Sequence, residues 1–222
     1  MTSVTTFVRT SVGKKALIGL TGLLASLFTL THMAGNLLIL VGSEAYNKYS
    51  HALITNPFLP VAEIGLVVIF LTHIGLAIWV TCENRKARQV RYAMLSKEKG
   101  ATFAARTMIL SGLLILVFLI LHLITFKYGT SYSVIYNGVE MRDLYRLVVE
   151  KFTQPLYVFW YLISLVVLGF HLSHGFAAVF QSMGFTSRIN PVVKKTGYVF
   201  AVLIAAGFIS QPIYIYFWGY LP

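Results

Sequence analysis

The chain has 222 residues, 57% of them hydrophobic and 11% charged, whereas soluble domains carry about 25% charged residues; this balance excludes an ordinary water-solvated domain. The single cysteine, Cys82, excludes an intrachain disulfide, a cysteine-ligated iron–sulfur cluster and the C-x-x-C-H attachment of a c-type haem. The net charge of +11 lies in short basic blocks between apolar runs rather than on one soluble face, which argues for membrane topology and against nucleic acid.

Crossing about 30 Å of hydrocarbon takes roughly 20 apolar residues. Five stretches qualify: Ala16 to Val41, Phe58 to Cys82, Thr107 to Phe126, Phe152 to Gly184 and Thr196 to Leu221. The first is uncharged over 26 residues and is expected to be a retained helix, not a cleaved signal. Alternate sides of the five spans carry 13 and 5 basic residues, with seven of the 13 between Arg85 and Arg106. The positive-inside rule then places the N-terminus and the loops at Arg85 to Arg106 and Arg188 to Lys195 in the cytoplasm, and the C-terminus outside. Trp160, Trp218, Tyr214, Tyr216 and Tyr220 fall towards the expected outer ends, where amphipathic rings favour the interface. The fourth stretch is long enough to tilt or to project beyond the bilayer. The loop from Tyr128 to Lys151 carries a short amphipathic segment around Arg142 to Val149, expected to lie on the surface as a helix. The whole chain, 1–222, reads as one all-α integral membrane bundle, because lipid offers no partner to a backbone group that helix formation leaves open.

Five of the six histidines fall inside spans: His32, His73 and His122 in the first three, and His171 and His174 in the fourth. Titratable side chains in hydrocarbon are costly, so their recurrence on four consecutive helices is a functional signal. His32 and His122 lie in the outer halves of outward-running helices, whereas His73 and His171 lie nearer the cytoplasm on inward-running ones. Depth therefore pairs His32 with His122 and His73 with His171. Two imidazoles facing each other at one level form the axial set of a six-coordinate b-type haem, and two pairs hold two haems. One transmembrane histidine alone serves as readily as an interhelical hydrogen bonder or a proton carrier; four at matched depths favour ligation. His174, one turn inward of His171, competes with it as a ligand, but His171 is closer in depth to His73, which leaves His174 as a propionate or quinone neighbour.

Small or hydroxylated residues should share the ligand faces so that porphyrin can approach the backbone. Thr21 and Ser111 precede His32 and His122 by eleven residues and Ser164 precedes His171 by seven, each about 20° from the histidine's face. Gly35, Gly75 and Gly175 lie within four residues of a histidine. Ser11, Lys14 and Lys15 are placed either as a positive-inside anchor or to meet haem propionates or a quinone headgroup. Glu63 reads as an interfacial carboxylate or a proton carrier, His51 as a solvated loop residue and Cys82 as inert.

Taken in order, Val12-Gly-Lys-Lys-Ala-Leu-Ile-Gly-Leu-Thr-Gly22, Thr31-His-Met-Ala-Gly-Asn36, Ala62-Glu-Ile-Gly65, Leu71-Thr-His73, Leu121-His122, Gly169-Phe-His-Leu-Ser-His-Gly175 and Gln181-Ser-Met-Gly184 cover nearly the whole chain. In this order and spacing they resemble the dihaem cytochrome b membrane anchor of succinate:quinone oxidoreductases and fumarate reductases, in its five-helix, single-polypeptide form. The resemblance implies haem ligation by His73 with His171 and by His32 with His122, choosing His171 over His174. It also implies a flavoprotein subunit, an iron–sulfur subunit docked on the basic cytoplasmic loops, a membrane quinone (menaquinone or ubiquinone) and a bacterial cytoplasmic membrane. Some fumarate-reducing relatives carry a glutamate two residues before the fourth-helix ligand for proton transfer; Gly169 stands there in this chain, so that route is not carried over. The sequence has neither a dinucleotide-binding glycine fingerprint nor cluster cysteines, so no residue here is expected to oxidise a dicarboxylate. Two alternatives stand beside this expectation. One is the cytochrome b subunit of a hydrogenase or formate dehydrogenase; the other is a haem-free transporter or proton channel, which the lack of Asp, Lys or Arg inside the spans disfavours.

Overall fold

The computed structural model describes residues 6, 10–87, 103–184 and 190–219. Five helices are long and apolar enough to cross a membrane. They are α1 (Ser11–Asn36, extended by a 3₁₀ turn Leu37–Leu40), α3 (Leu59–Lys86), α4 (Phe103–His122, continued by a π-helical turn Leu123–Lys127), α6 (Pro155–Ser182) and α7 (Pro191–Trp218). Helix α3 is apolar over most of its length and none of its side chains is buried within the chain; such a helix is at home in lipid, not in water. The chain is a multi-pass membrane protein. Much of the basic Arg85 to Arg106 loop, Arg9, Arg188 and Tyr220 lie outside the described residues.

Helix ends follow local chemistry. Thr10 Oγ1 accepts from the Gly13 N–H at 3.0 Å at the start of α1, and Asn190 Oδ1 accepts from the Val192 N–H at 2.9 Å ahead of Pro191, the first residue of α7. The fourth apolar stretch is not one helix. Phe152 ends a separate amphipathic helix, α5 (Leu144–Phe152), and α6 begins only at Pro155, because proline lacks the N–H to continue a helix and disfavours helical geometry in the residue before it. The surface helix expected around Arg142 to Val149 is thus α5, displaced towards the C-terminus.

Two further elements depart from the expectation of spans and loops alone. Helix α2 (Ser43–Ile54) follows Gly42, whose φ of 141° is open to glycine and strained for other residues; His51, read as a loop residue, stands in its last turn. Strands β1 (Ser133–Tyr136) and β2 (Val139–Arg142) form an antiparallel hairpin, so regular structure is not wholly helical. Its turn, Asn137-Gly138, has positive φ at both residues, 54° and 79°, as a two-residue type I′ turn requires. The demand for helix holds in hydrocarbon; this segment lies between two of the membrane-length helices and outside both.

By backbone contacts the chain divides into two compact units. Unit one comprises Met1–Leu27, Gly65–Leu113 and Phe170–Ala201; unit two comprises Phe28–Ile64, Leu114–Gly169 and Val202–Pro222. In unit two, Ile39, Tyr46, Val148, Val149, Phe152, Val158, Tyr161 and Ile215 form a buried cluster. Helix α5 contributes Leu147, Val148, Val149 and Phe152, all under 9% exposed. At about 1.5–3 kcal/mol each, four such side chains supply roughly 6–12 kcal/mol, which holds a helix too short to persist alone. Tyr132 fastens the start of the hairpin segment to α5, donating to Glu150 Oε2 at 2.8 Å beneath the Arg146 guanidinium, 4.2 Å from the ring centre.

Candidate functional site: two histidine pairs

Unit one holds His73 on α3 and His171 on α6. The His73 Nδ1–H donates to the Ile18 carbonyl at 3.1 Å and to Thr21 Oγ1 at 3.2 Å, both on α1. Direction follows from the partners: a carbonyl only accepts, and the Thr21 hydroxyl donates its own proton to the Leu17 carbonyl at 2.7 Å. His171 repeats the arrangement. Its Nδ1 lies 3.0 Å from Ser111 Oγ on α4, which also lies 2.9 Å from the Met108 carbonyl. The carbonyl partner puts the His73 proton on Nδ1, which leaves the lone pair of its Nε2 free; His171 likewise sets Nδ1 against an oxygen. The two histidines lie within electrostatic range of each other, and His174 is in range of His171.

Glycines make room for both rings. A Cβ at Gly22 would stand 3.1 Å from His73 Cε1, and one at Gly112 would stand 3.5 Å from His171 Cε1. Gly22→Ala should therefore move the His73 ring off its acceptors, at about 1–3 kcal/mol of overpacking strain; a changed His73 ¹⁵N resonance together with a lowered unfolding midpoint checks it. Thr21 and Ser111 share helix faces with His32 and His122, as their spacing requires, but the hydrogen bonds they make are to His73 and His171. Ser164, placed on the His171 face, is fully buried and donates to the Trp160 carbonyl at 2.8 Å. Gly35 faces Tyr49, while Gly75 and Gly175 have open space where a Cβ would be.

The cationic group near the start of α1 separates. Lys14 is 6% exposed, its Nζ 2.5 Å from Glu83 Oε1 and 4.5 Å from the centre of the Trp79 ring; Trp79 Nε1 donates to the same carboxylate at 2.8 Å. Ser11 and Lys15 are exposed. Cys82 is exposed as well.

Unit two brings together His32 of α1 and His122, the last α-helical residue of α4, with ring centres 5.8 Å apart and planes at 86°. His122 Nδ1 lies 3.0 Å from Tyr161 Oη on α6. Phe118 and Phe126 flank His122, and Phe28 stacks on His32 at 5.3 Å. The π turn starts immediately after His122, a widening of the helix that recurs at functional sites. Close to His32 stands Asn36, whose Oδ1 accepts from Tyr46 Oη at 2.8 Å. Trp160 Nε1 is buried in unit two without a hydrogen-bond partner. Glu63 is ion-paired with Lys127.

Sequence reasoning did not find Tyr161, Asn36, Tyr46 or Glu83. Tyr161 and Asn36 carried a weak signal, since each lies on the polar-marked face of a span; the contacts of Tyr46 and Glu83 depend on chain folding that no spacing encodes. Among the described residues no group of three or more His, Cys, Asp or Glu side chains converges as a metal site, so each site offers a pair of imidazoles. Comparison with known proteins finds no matching family model, no matching curated protein and no matching solved structure.

Proposed function

We propose that this chain is a dihaem cytochrome b that anchors a succinate:quinone oxidoreductase or fumarate reductase in a bacterial cytoplasmic membrane. The observation that carries the proposal is the histidine geometry: His32 and His122 meet with ring centres 5.8 Å apart, and His73 and His171, both in unit one, each set Nδ1 against an oxygen. Ligating histidines almost always donate their second nitrogen in this way, which fixes tautomer and ring plane.

The donor set, a pair of imidazoles at each site, fits a metal already held by a macrocycle, for which His73 with His171 and His32 with His122 would be the protein ligands. Imidazoles sharing one metal, with metal–nitrogen bonds of about 2 Å and ring centres about 1 Å further back, stand about 6 Å apart; the His32 and His122 centres are 5.8 Å apart. Buried Trp160 Nε1 supplies an unpaired donor for a group with acceptor oxygens, such as a propionate. His73 with His171 would hold the inner haem and His32 with His122 the outer one. Bound there, b-type haems supply one-electron chemistry with no open coordination position. The residues of this chain bind, orient and keep water away: Thr21 and Ser111 set the ligand rings, Gly22 and Gly112 clear their edges, and the aromatic cluster around His122 excludes solvent. A flavoprotein and an iron–sulfur subunit would supply the dicarboxylate chemistry that no residue here performs, and menaquinone or ubiquinone would exchange the electrons.

A reduced-minus-oxidised absorption spectrum of the purified complex tests the proposal. Two b-type components that respond to quinone analogues in a redox titration are expected, and no b-type band would refute it. Ser111→Ala is expected to weaken retention of the inner haem about 10-fold while leaving the outer one in place, the scale set by other supporting shells around metal ligands; haem content per complex measures it.

A further inference from the structure

Three of the four paired histidines present Nδ1 to an oxygen: Ile18 and Thr21 for His73, Ser111 for His171, Tyr161 for His122. His32 is the exception. Its ring faces the side-chain amide nitrogen of Asn36, with Nδ2 3.4 Å from both ring nitrogens. The orientation of that amide is held at both ends: Nδ2 donates to the His32 carbonyl at 2.8 Å, and Oδ1 accepts from Tyr46 Oη at 2.8 Å. A flipped amide would set its oxygen against the His32 carbonyl oxygen. Tyr46 is itself fixed, 4% exposed within the packed cluster of unit two. Burial also keeps its phenol well above the ordinary tyrosine range, so it remains a donor at any working pH.

We infer that Tyr46 and Asn36 are positioning residues for His32, which keep the positive end of an amide dipole on this one ligand and so favour the reduced state of the haem it would hold. The inference rests on the dihaem reading. An imidazole that donates to an oxygen gains electron density and stabilises the oxidised metal; one facing an N–H₂ group does not. Tyr46 therefore acts through Asn36, from a helix that itself supplies no paired histidine.

The test is a redox titration of the intact complex, followed by absorption and by the low-spin haem signals in electron paramagnetic resonance. Tyr46→Phe keeps the ring and its packing but removes one of the two anchors of the amide, so that Nδ2 is no longer held against the His32 ring. The outer component's reduced-to-oxidised ratio at fixed ambient potential should fall about fivefold, the scale of one net hydrogen bond. Asn36→Asp places acceptor oxygens there permanently and should lower the ratio by about 10-fold or more; it gives the same reading if Tyr46→Phe fails to accumulate. The inner component should not move in either variant. An outer component unmoved in the variants, or both components shifted alike, overturns the inference while leaving the dihaem reading intact. A wild-type complex without b-type bands overturns that reading instead.

Discussion

On the dihaem proposal, replacing His171 by alanine should abolish one of two b-type components and leave the other largely intact, and replacing His73 should abolish the same one. The two residues come from different helices but belong to one unit, within electrostatic range of each other. Neither ring has a second nitrogen to spare: Nδ1 is spent on Ile18 and Thr21 in one case and on Ser111 in the other. Loss of either would remove one of the two histidines that would hold the inner haem and strand an acceptor, and no third His, Cys, Asp or Glu converges there among the described residues to substitute. His174→Ala is the control. That side chain is in range of His171 but shares none of these hydrogen bonds, so both components should persist. Loss of both components in His171→Ala, or of neither, would contradict the pairing, and loss of one in His174→Ala would reassign the ligand.

Depth along apolar spans was enough to sort four histidines into two pairs, because a helix of known pitch crossing a slab of known thickness turns sequence position into height. The same arithmetic placed Thr21 and Ser111 on the faces of His32 and His122. It could not say that those hydroxyls reach His73 and His171, since a hydrogen bond between helices depends on neighbour and rotation, neither of which is periodic along one chain. The hairpin is legible in the residues, since the strand-prone runs Ser133–Tyr136 and Val139–Arg142 flank Asn137-Gly138, a strong short-range hairpin signal. The break in the fourth stretch was legible too, at Pro155. Tyr46 and Asn47 were out of reach, because α2 is an ordinary polar helix whose meaning comes from what it packs on.

Asn47→Ala should cause a large loss of local stability in helix α5. The residue is fully buried, and both ends of its amide are in use: Nδ2 donates to Asp143 Oδ1 at 2.8 Å and Oδ1 accepts from the Tyr145 N–H at 2.9 Å. Asp143 is also the N-cap of α5, accepting from the Arg146 N–H at 3.0 Å. Alanine would strand a main-chain donor in the first turn of α5 and strip a charge-assisted bond from its cap, together about 3–5 kcal/mol. Because 1.4 kcal/mol is a factor of ten, the amides of Leu144–Phe152 should exchange with solvent about 10²- to 4×10³-fold faster, provided they exchange through local opening of α5. Asp143→Ala removes both the cap and the partner of Asn47, so the double variant should cost less than the two single costs added. The disturbance has a path to the histidines. Phe152 of α5 packs on Tyr161, with ring centres 4.9 Å apart, and Tyr161 Oη lies 3.0 Å from His122 Nδ1. Loosened α5 should therefore be read at His122 while the His73 and Thr21 contact, which lies in the other unit, stays as it was; exchange confined to α5 with His122 unperturbed would sever that link.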